Sequence, residues 1–238
     1  MANKNFEFKN FTVNQDRCGM KVCTDSCLFG AWMADRFSFR NPGKILDIGT
    51  GTGLLSLMVA QKTNAVIDAF EIDEQACTQA NENFESSPWS SKLHAYPGNI
   101  KLQPTLSKYD GIICNPPFYD SHLLPANEGK KASKHGTLLS LEELALIVSK
   151  LLASDGVFGV LLPSFSAAYF EKEAEKHSLF ITEKCEVRQT FNHNFFRSML
   201  ILEKEKRQAK YSEMSIKDNL GNYTPEFTEL LKEYYLYL

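Results

Sequence analysis

The sequence predicts an α/β fold: a doubly wound, mostly parallel seven-stranded sheet with an antiparallel last strand and a small N-terminal extension. Apolar runs of strand length alternate with segments whose apolar residues recur every three or four positions. A glycine-rich turn joins the first such run to a helix. Near the end, two strand-like runs follow one another with no helix between them, which predicts an antiparallel hairpin at the sheet edge.

The elements before the sheet are an alternating aromatic and polar stretch, 6–13, which predicts a small hairpin, and one helix. We expect Thr24 to cap this helix, in which apolar residues such as Leu28 and Trp32 lie four positions apart. Strands are then predicted at 44–48, 66–71, 93–96, 109–114, 156–162, 179–187 and 197–203. Helices are predicted at 53–62, 74–85, 141–152 and 167–177.

The glycine-rich turn contains Gly49, Gly51 and Gly53 in the spacing G-x-G-x-G, one residue shorter than the dinucleotide pattern. Glycines let the chain turn tightly and let a ligand approach the backbone. Asp47 places a carboxylate before the turn, where it would repel phosphate and attract a cation or a ribose. Glu71 lies about twenty residues past the glycines, the distance at which an acidic residue takes ribose hydroxyls. This pattern predicts a nucleoside site that does not hold phosphate.

A second site motif, Asn115-Pro116-Pro117-Phe118, follows the apolar run 109–114. The prolines fix φ and remove two backbone N–H groups, while their carbonyls remain as acceptors. Asn115 adds a carbonyl acceptor and an amide donor, and Phe118 adds a flat apolar face. The cluster suits a planar group that bears an NH₂: two acceptors take its hydrogens and the ring stacks on it.

Taken together, these residues resemble the class I S-adenosylmethionine-dependent methyltransferases, and the Asn-Pro-Pro-Phe motif resembles their amino-methylating branch. Further segments resemble the bacterial tRNA1(Val) adenine-N6 methyltransferases: Lys21 to Ser26, Lys134-His135-Gly136, Tyr223 to Phe227 and Tyr234-Tyr235-Leu236. The likeness covers nearly the whole chain. It implies methyl transfer from S-adenosylmethionine to N6 of the adenine immediately 3′ of the anticodon, nucleotide 37. It also implies a single domain, 1–238, with a 1–40 extension and capping helix and a 41–238 catalytic core.

The resemblance also implies a set of site residues. Asn115, Pro116 and Phe118 would be catalytic, and the cofactor would be held by Lys21, Thr24, Asp47, Gly49, Gly51, Gly53, Glu71, Ile72, Asn99 and Ile100. The class usually has an acidic residue at the place of Asn99. Its side-chain carbonyl can still accept a hydrogen bond from the adenine amine, and a plain turn residue is the alternative.

The RNA partner must be held by local patches, because a net charge of −3 provides no global basic field. Lys130, Lys131 and Lys134 flank the proposed catalytic loop and are the first candidates for phosphate contacts. Arg188 and Arg197 lie on the predicted terminal hairpin and are equally consistent with RNA contact and with a structural role.

The remaining composition indicates an enzyme of the cytoplasm. Six cysteines without a C-x-x-C pair predict free thiols and no metal site. We expect no membrane span, because no apolar stretch approaches the necessary length, and the first residues lack the apolar core of a signal peptide. No obligate protein partner is evident.

Three alternatives remain open, and a fourth, DNA methylation, does not fit the length of the chain. Guanine-N2 methyltransferases of ribosomal RNA share the aromatic ending of the motif. Protein glutamine-N5 methyltransferases share Asn-Pro-Pro but usually carry a helical N-terminal domain, and the segment before the first strand here is short. DNA adenine methylation would require a target-recognition domain, for which there is no room. An RNA chaperone that binds the cofactor is the non-enzymatic alternative, and the intact motif argues against it.

Overall fold

The protein is described here by a computed structural model that covers residues 3–103, 107–117 and 139–238. Its strands are β1 (Asn5–Glu7), β2 (Thr12–Asn14), β3 (Lys44–Ile48), β4 (Val66–Glu71), β5 (Leu93–Pro97), β6 (Tyr109–Cys114), β7 (Leu152–Pro163), β8 (Phe180–Arg188), β9 (Phe195–Glu203) and β10 (Lys210–Ser215). Its helices are α1 (Thr24–Arg40), α2 (Leu54–Lys62), α3 (Glu74–Glu85), α4 (Leu141–Leu151), α5 (Ser164–Glu175) and α6 (Pro225–Leu231).

The main sheet confirms the predicted doubly wound architecture. Its strands lie in the order β10-β8-β9-β7-β6-β3-β4-β5, and β9 runs antiparallel to both of its neighbours. From β3 the chain first builds one half of the sheet, through β4 and β5, and then returns to β6 on the other side of β3. The direction of winding therefore reverses between β3 and β6, and in such sheets ligands bind at the carboxyl ends of the strands on either side of this point.

The seven predicted strands are present, and the last of them, β9, is antiparallel as predicted. The predicted number of strands was wrong, because the sheet has eight. An eighth strand, β10, pairs in parallel with β8 and takes the edge position expected for the hairpin. Most side chains of β10 are exposed, so its sequence has no apolar run by which it could have been recognised.

Two apolar cores cover the two faces of the sheet, because successive side chains of each strand point in opposite directions. Ile45 of β3 packs with residues of α1, α2, α3 and α6 in one core. Leu46 and Ile48 pack with residues of α4 and α5 in the other. No helix in the described ranges is both long and apolar enough to cross a membrane.

The N-terminal hairpin of β1 and β2 forms as predicted and is attached to the rest of the fold by polar contacts. The side chain of Asn83, on α3, accepts a hydrogen bond from Asn14 N at 2.9 Å and donates to Asn14 O at 3.0 Å. Asn83 Nδ2 also donates to the carbonyl of Thr52, in the glycine turn, at 2.9 Å. One buried amide therefore connects the N-terminal extension to the turn.

Helix α1 begins one residue earlier than predicted, so Thr24 lies within the helix and is not its cap. Cys23 is the N-cap residue, and its side chain makes no capping hydrogen bond. Instead, Asp25 Oδ1 accepts from the backbone N–H of Ser26 at 3.1 Å. A carboxylate in the first turn also interacts favourably with the positive end of the helix dipole, so a hydroxyl cap is not required.

Candidate active site

A cavity of about 540 Å³ opens at the carboxyl ends of β3, β4 and β6, where the winding of the sheet reverses. Its size is within the range of small-molecule sites. Nine of the predicted site residues line it: Lys21, Gly49, Gly51, Glu71, Ile72, Asn99, Ile100, Asn115 and Pro116. Thr24, Asp47 and Gly53 are not part of its wall, and Phe118 lies outside the described residues.

Asn115 follows the last residue of β6 and is held by a neighbour that is distant in sequence. Its Nδ2 donates to Ser26 Oγ, on α1, at 2.9 Å. Its Oδ1 is buried and has no hydrogen-bond partner among the described residues. An unpaired buried carbonyl is costly, so a buried acceptor in a cavity wall indicates a place for a donor from a ligand.

The glycine turn uses positive φ at all three glycines: 73° at Gly49, 57° at Gly51 and 82° at Gly53. Gly49 and Gly51 have open space where a Cβ would lie, so a ligand can approach their backbone closely. Gly53 has a different reason to be glycine: a Cβ there would lie 2.4 Å from the ring of Phe84, on α3. Gly53 therefore allows α2 and α3 to pack, away from the cavity.

Glu71, at the end of β4, bridges two backbone segments of the cavity wall. Its Oε2 accepts from Gly51 N at 2.8 Å, and its Oε1 accepts from Asp73 N at 3.0 Å. Each carboxylate oxygen can accept a further hydrogen bond. Glu71 thus fixes the glycine turn and can still accept hydrogen bonds from ligand hydroxyls.

Asp47 lies beneath the glycine turn and is completely buried. Its Oδ2 accepts from Thr50 Oγ1 and Ser56 Oγ, both at 2.7 Å, while its Oδ1 has no partner in the described part of the chain. Burial raises the pKa of Asp47 to about 6, and the two hydroxyl donors only partly oppose this shift. The carboxyl therefore supports the turn from below and does not contact the cavity directly.

The other predicted cofactor residues occupy three places. Asn99 caps a short 3₁₀ turn, Ile100–Leu102, and accepts from Lys101 N at 3.0 Å, while also lining the cavity. Lys21 lies in the segment before α1 and also lines the cavity, and its Nζ donates to Asn3 O at 3.4 Å. Thr24 is exposed on the first turn of α1.

The two predicted RNA-binding arginines are engaged within the fold. Arg188, at the carboxyl end of β8, donates to Ser215 Oγ at 2.9 Å and lies 5.4 Å and 5.1 Å from the ring centres of Phe191 and Phe195. Arg197 Nε donates to Asp25 Oδ2 at 2.7 Å, with both side chains largely buried. Lys130, Lys131 and Lys134 lie outside the described residues.

Ser26 is a site residue that the sequence analysis did not assign to the site. It is buried, lines the cavity and contacts Asn115, from which it is separated by 89 positions in the sequence. No spacing rule links two residues that far apart. The sole signal was its place at the end of the segment Lys21 to Ser26, where helix α1 begins.

Comparison with solved structures bears on the fold. A TehB-like S-adenosylmethionine-dependent methyltransferase from Corynebacterium glutamicum shares the fold, with a TM-score of 0.51, 15% identity, and coverage of 79% of this chain and 90% of that one. A predicted O-methyltransferase from Agrobacterium tumefaciens gives a TM-score of 0.65 at 16% identity, over 88% and 96%. The profile of the family described as Methyltransferase small domain matches residues 29–131. These likenesses show that the chain has the fold of these methyltransferases.

Sequence comparison is more specific. A protein from Christiangramia forsetii named tRNA1(Val) (adenine(37)-N6)-methyltransferase is 37% identical, and the match covers 100% of both chains. The chain belongs to the family of the tRNA1(Val) (adenine(37)-N6)-methyltransferases.

Proposed function

We propose that this protein transfers a methyl group from S-adenosylmethionine to the exocyclic N6 amine of adenine 37 in tRNA1(Val). The observation that carries the proposal is the buried Oδ1 of Asn115, which has no partner among the described residues at the edge of the cavity. A planar amine is the kind of group that can satisfy it. Membership of the family and the full-length match support the identity of the substrate.

The cavity wall has the chemistry that an adenosine with a cationic amino-acid tail requires. Glu71 retains acceptor capacity for two ribose hydroxyls, and Gly49 and Gly51 leave room for close approach of the ligand to the backbone. Asn99 and Ile100 would contact the base, and both line the cavity, as Lys21 does. The buried carboxyl of Asp47 disfavours a phosphate, which this cofactor lacks. The bound cofactor supplies a methyl group on a sulfonium.

Asn115 and Pro116 would act on the target amine, which is a poor nucleophile because its lone pair delocalises into the adenine ring. Asn115 Oδ1 and the Pro116 carbonyl would each accept one amine hydrogen, which favours a pyramidal nitrogen with an available lone pair. Phe118 would stack on the extruded base, a gain of about 1–3 kcal/mol. In-line positioning, rather than strong base catalysis, would provide most of the acceleration.

A tRNA loop is a suitable substrate because the target base must leave its stack to enter the cavity. An unpaired loop nucleotide costs less to extrude than a nucleotide in a duplex. Arg188 and the half-exposed Phe191 lie at the same edge of the sheet as Asn115, which is consistent with contact to RNA beside the cavity. The lysines 130, 131 and 134 remain predicted phosphate contacts.

The direct test is methyl transfer by the purified protein from labelled S-adenosylmethionine to a tRNA1(Val) transcript. A matched transcript with guanine at position 37 keeps every other adenine. We expect label in the first transcript alone, and none with the Asn115→Ala variant, although calorimetry should show nearly unchanged cofactor affinity for that variant. Equal labelling of both transcripts, or full activity of Asn115→Ala, would refute the proposal.

A further inference from the structure

The Asn115 side chain is an amide, and only one of its two orientations suits the proposed reaction. With Oδ1 toward the target, Asn115 accepts a hydrogen from the amine. After a rotation of 180° about the terminal torsion, the amide would present its own NH₂, which cannot accept one. That torsion is broad and roughly two-fold in asparagine, so the backbone of β6 does not determine the choice. Another group has to fix it.

Ser26 is placed to fix the amide. Its Oγ lies 2.9 Å from Asn115 Nδ2 and accepts the hydrogen bond, and the side chain is buried. A hydroxyl can also donate, but Cys23 Sγ lies 3.0 Å from the same Oγ. When the hydroxyl hydrogen points to that sulfur, the oxygen is left to accept from Nδ2. With Nδ2 held at Ser26, Oδ1 is the amide atom that remains for a ligand, in agreement with its lack of a partner among the described residues.

The turn that carries Ser26 is itself tied to the sheet. Asp25 accepts from Ser26 N through Oδ1 and from Arg197 Nε, on β9, through Oδ2. In β9, Arg197 pairs with Pro163, the last residue of β7, at the edge that carries the cavity. A chain of contacts therefore runs from β9 through the first turn of α1 to the motif that follows β6.

We propose that Ser26 is a positioning residue for methyl transfer, which holds the Asn115 amide in the orientation that leaves Oδ1 to accept from the target amine. This inference rests on the proposed function for its kinetic consequence, but not for the orientation of the amide. In this arrangement Arg197 has a structural role and not only a predicted contact with RNA: through Asp25 it fixes the turn of α1 on which Ser26 lies.

The kinetic test compares Ser26→Ala with wild type on the tRNA1(Val) transcript. We expect kcat to fall about 10-fold to 100-fold, with KM for tRNA and affinity for S-adenosylmethionine within about two-fold of wild type. Ser26→Thr, which keeps the hydroxyl, should recover part of the loss. The matched control is Ser38→Ala, which removes an exposed hydroxyl from the other end of α1 and should leave turnover unchanged.

A double-mutant cycle and a spectroscopic measurement make the test specific. If Ser26 acts through Asn115, Ser26→Ala should cause no further loss in the Asn115→Ala background. NMR of the Asn115 side-chain amide, assigned by its loss in Asn115→Ala, should show an ordered group in wild type and a lower order parameter in Ser26→Ala. This measurement needs no tRNA, so it decides the positioning role even if the protein methylated no tRNA at all.

Three results would overturn the proposal. The first is wild-type kcat in Ser26→Ala. The second is a fall in cofactor affinity with kcat unchanged, which would make Ser26 a cofactor contact, since it also lines the cavity. The third is an Asn115 amide whose order is the same with and without the Ser26 hydroxyl.

Discussion

The single residue Glu71 fixes the glycine turn and, under the proposed function, also holds the ribose hydroxyls of the cofactor. Glu71→Ala should weaken S-adenosylmethionine binding by about 1.5–3 kcal/mol, because charge-assisted hydrogen bonds to the ribose are lost. It should also lower the melting temperature, since Gly51 N and Asp73 N lose their acceptor.

Glu71→Gln is the matched comparison, because it keeps one side-chain oxygen but not the charge. We expect intermediate cofactor affinity for it, measured by calorimetry. An unchanged dissociation constant in a folded Glu71→Ala protein would contradict the ribose assignment.

Asp47 makes stability depend on pH in an unusual direction for a carboxyl. Its pKa is about 6 in the fold, against 3.8 for the ordinary carboxyl, so the folded state binds this proton more tightly. Stability from this group is greatest below pH 4 and is lost as the pH rises through about 6.

Asp47→Asn removes the titration and retains an oxygen for the Thr50 or Ser56 hydroxyl. As the pH rises from 4 to 7, the unfolding free energy of the variant minus that of wild type should increase by about 1–3 kcal/mol. Urea unfolding across this range provides the measurement. A difference between the two proteins that does not vary with pH would show that Asp47 does not titrate in this way.

The residues that could be predicted from the sequence lie next to recognisable strand ends. Glu71 and Asn115 each follow an apolar run, so a parallel sheet brings them to one edge. Ser26 could not be predicted, because its contact with Asn115 depends on how α1 packs. Gly53 matched the turn pattern, yet it lies outside the cavity wall, and its lack of a side chain makes room for the ring of Phe84.

Among the elements, α1 is attached to β9 by the ion pair between Asp25 and Arg197. This attachment leads to a prediction for the replacement of Arg197. If Arg197 is mainly an anchor for Asp25, Arg197→Ala should lower the melting temperature and kcat while leaving the salt dependence of tRNA binding unchanged. Arg188→Ala is the matched comparison, because Arg188 pairs with Glu213 at 3.2 Å and also lies beside the half-exposed Phe191. If Arg188 contacts RNA as predicted, its replacement should flatten the salt dependence. A flatter salt slope in Arg197→Ala, without loss of stability, would restore Arg197 as an RNA contact.

Elements with buried apolar runs could be predicted within a few residues, as the seven strands β3 to β9 show. Strand β10 could not, because its pairing with β8 depends on backbone hydrogen bonds at an exposed edge rather than on an apolar pattern. The observed start of α1 differs from the predicted start because Asp25, and not Thr24, accepts a hydrogen bond from a backbone N–H of the first turn. For β10, tertiary context decided what local sequence left open, whereas the start of α1 follows from a contact between adjacent residues.

For the whole molecule, the net charge of −3 makes tRNA binding depend on local positive patches. Replacing Lys130, Lys131 and Lys134 together with Ala should weaken tRNA binding, and each lost phosphate contact should reduce the log–log salt slope by about 0.7–0.9. Affinity for S-adenosylmethionine should barely change. Filter binding at several salt concentrations measures the slope, and a wild-type slope would show that these lysines are not phosphate contacts.

The proposed product in the cell is N6-methyladenosine at position 37 of tRNA1(Val). Mass spectrometry of nucleosides from total tRNA, with and without this gene, tests it most directly. N6-methyladenosine at position 37 of tRNA1(Val) should be lost without the gene and restored by the wild-type gene, but not by a gene with Asn115→Ala. An unchanged level of N6-methyladenosine at that position, accompanied by loss of methylation on guanine N2 or on a protein glutamine, would contradict the account.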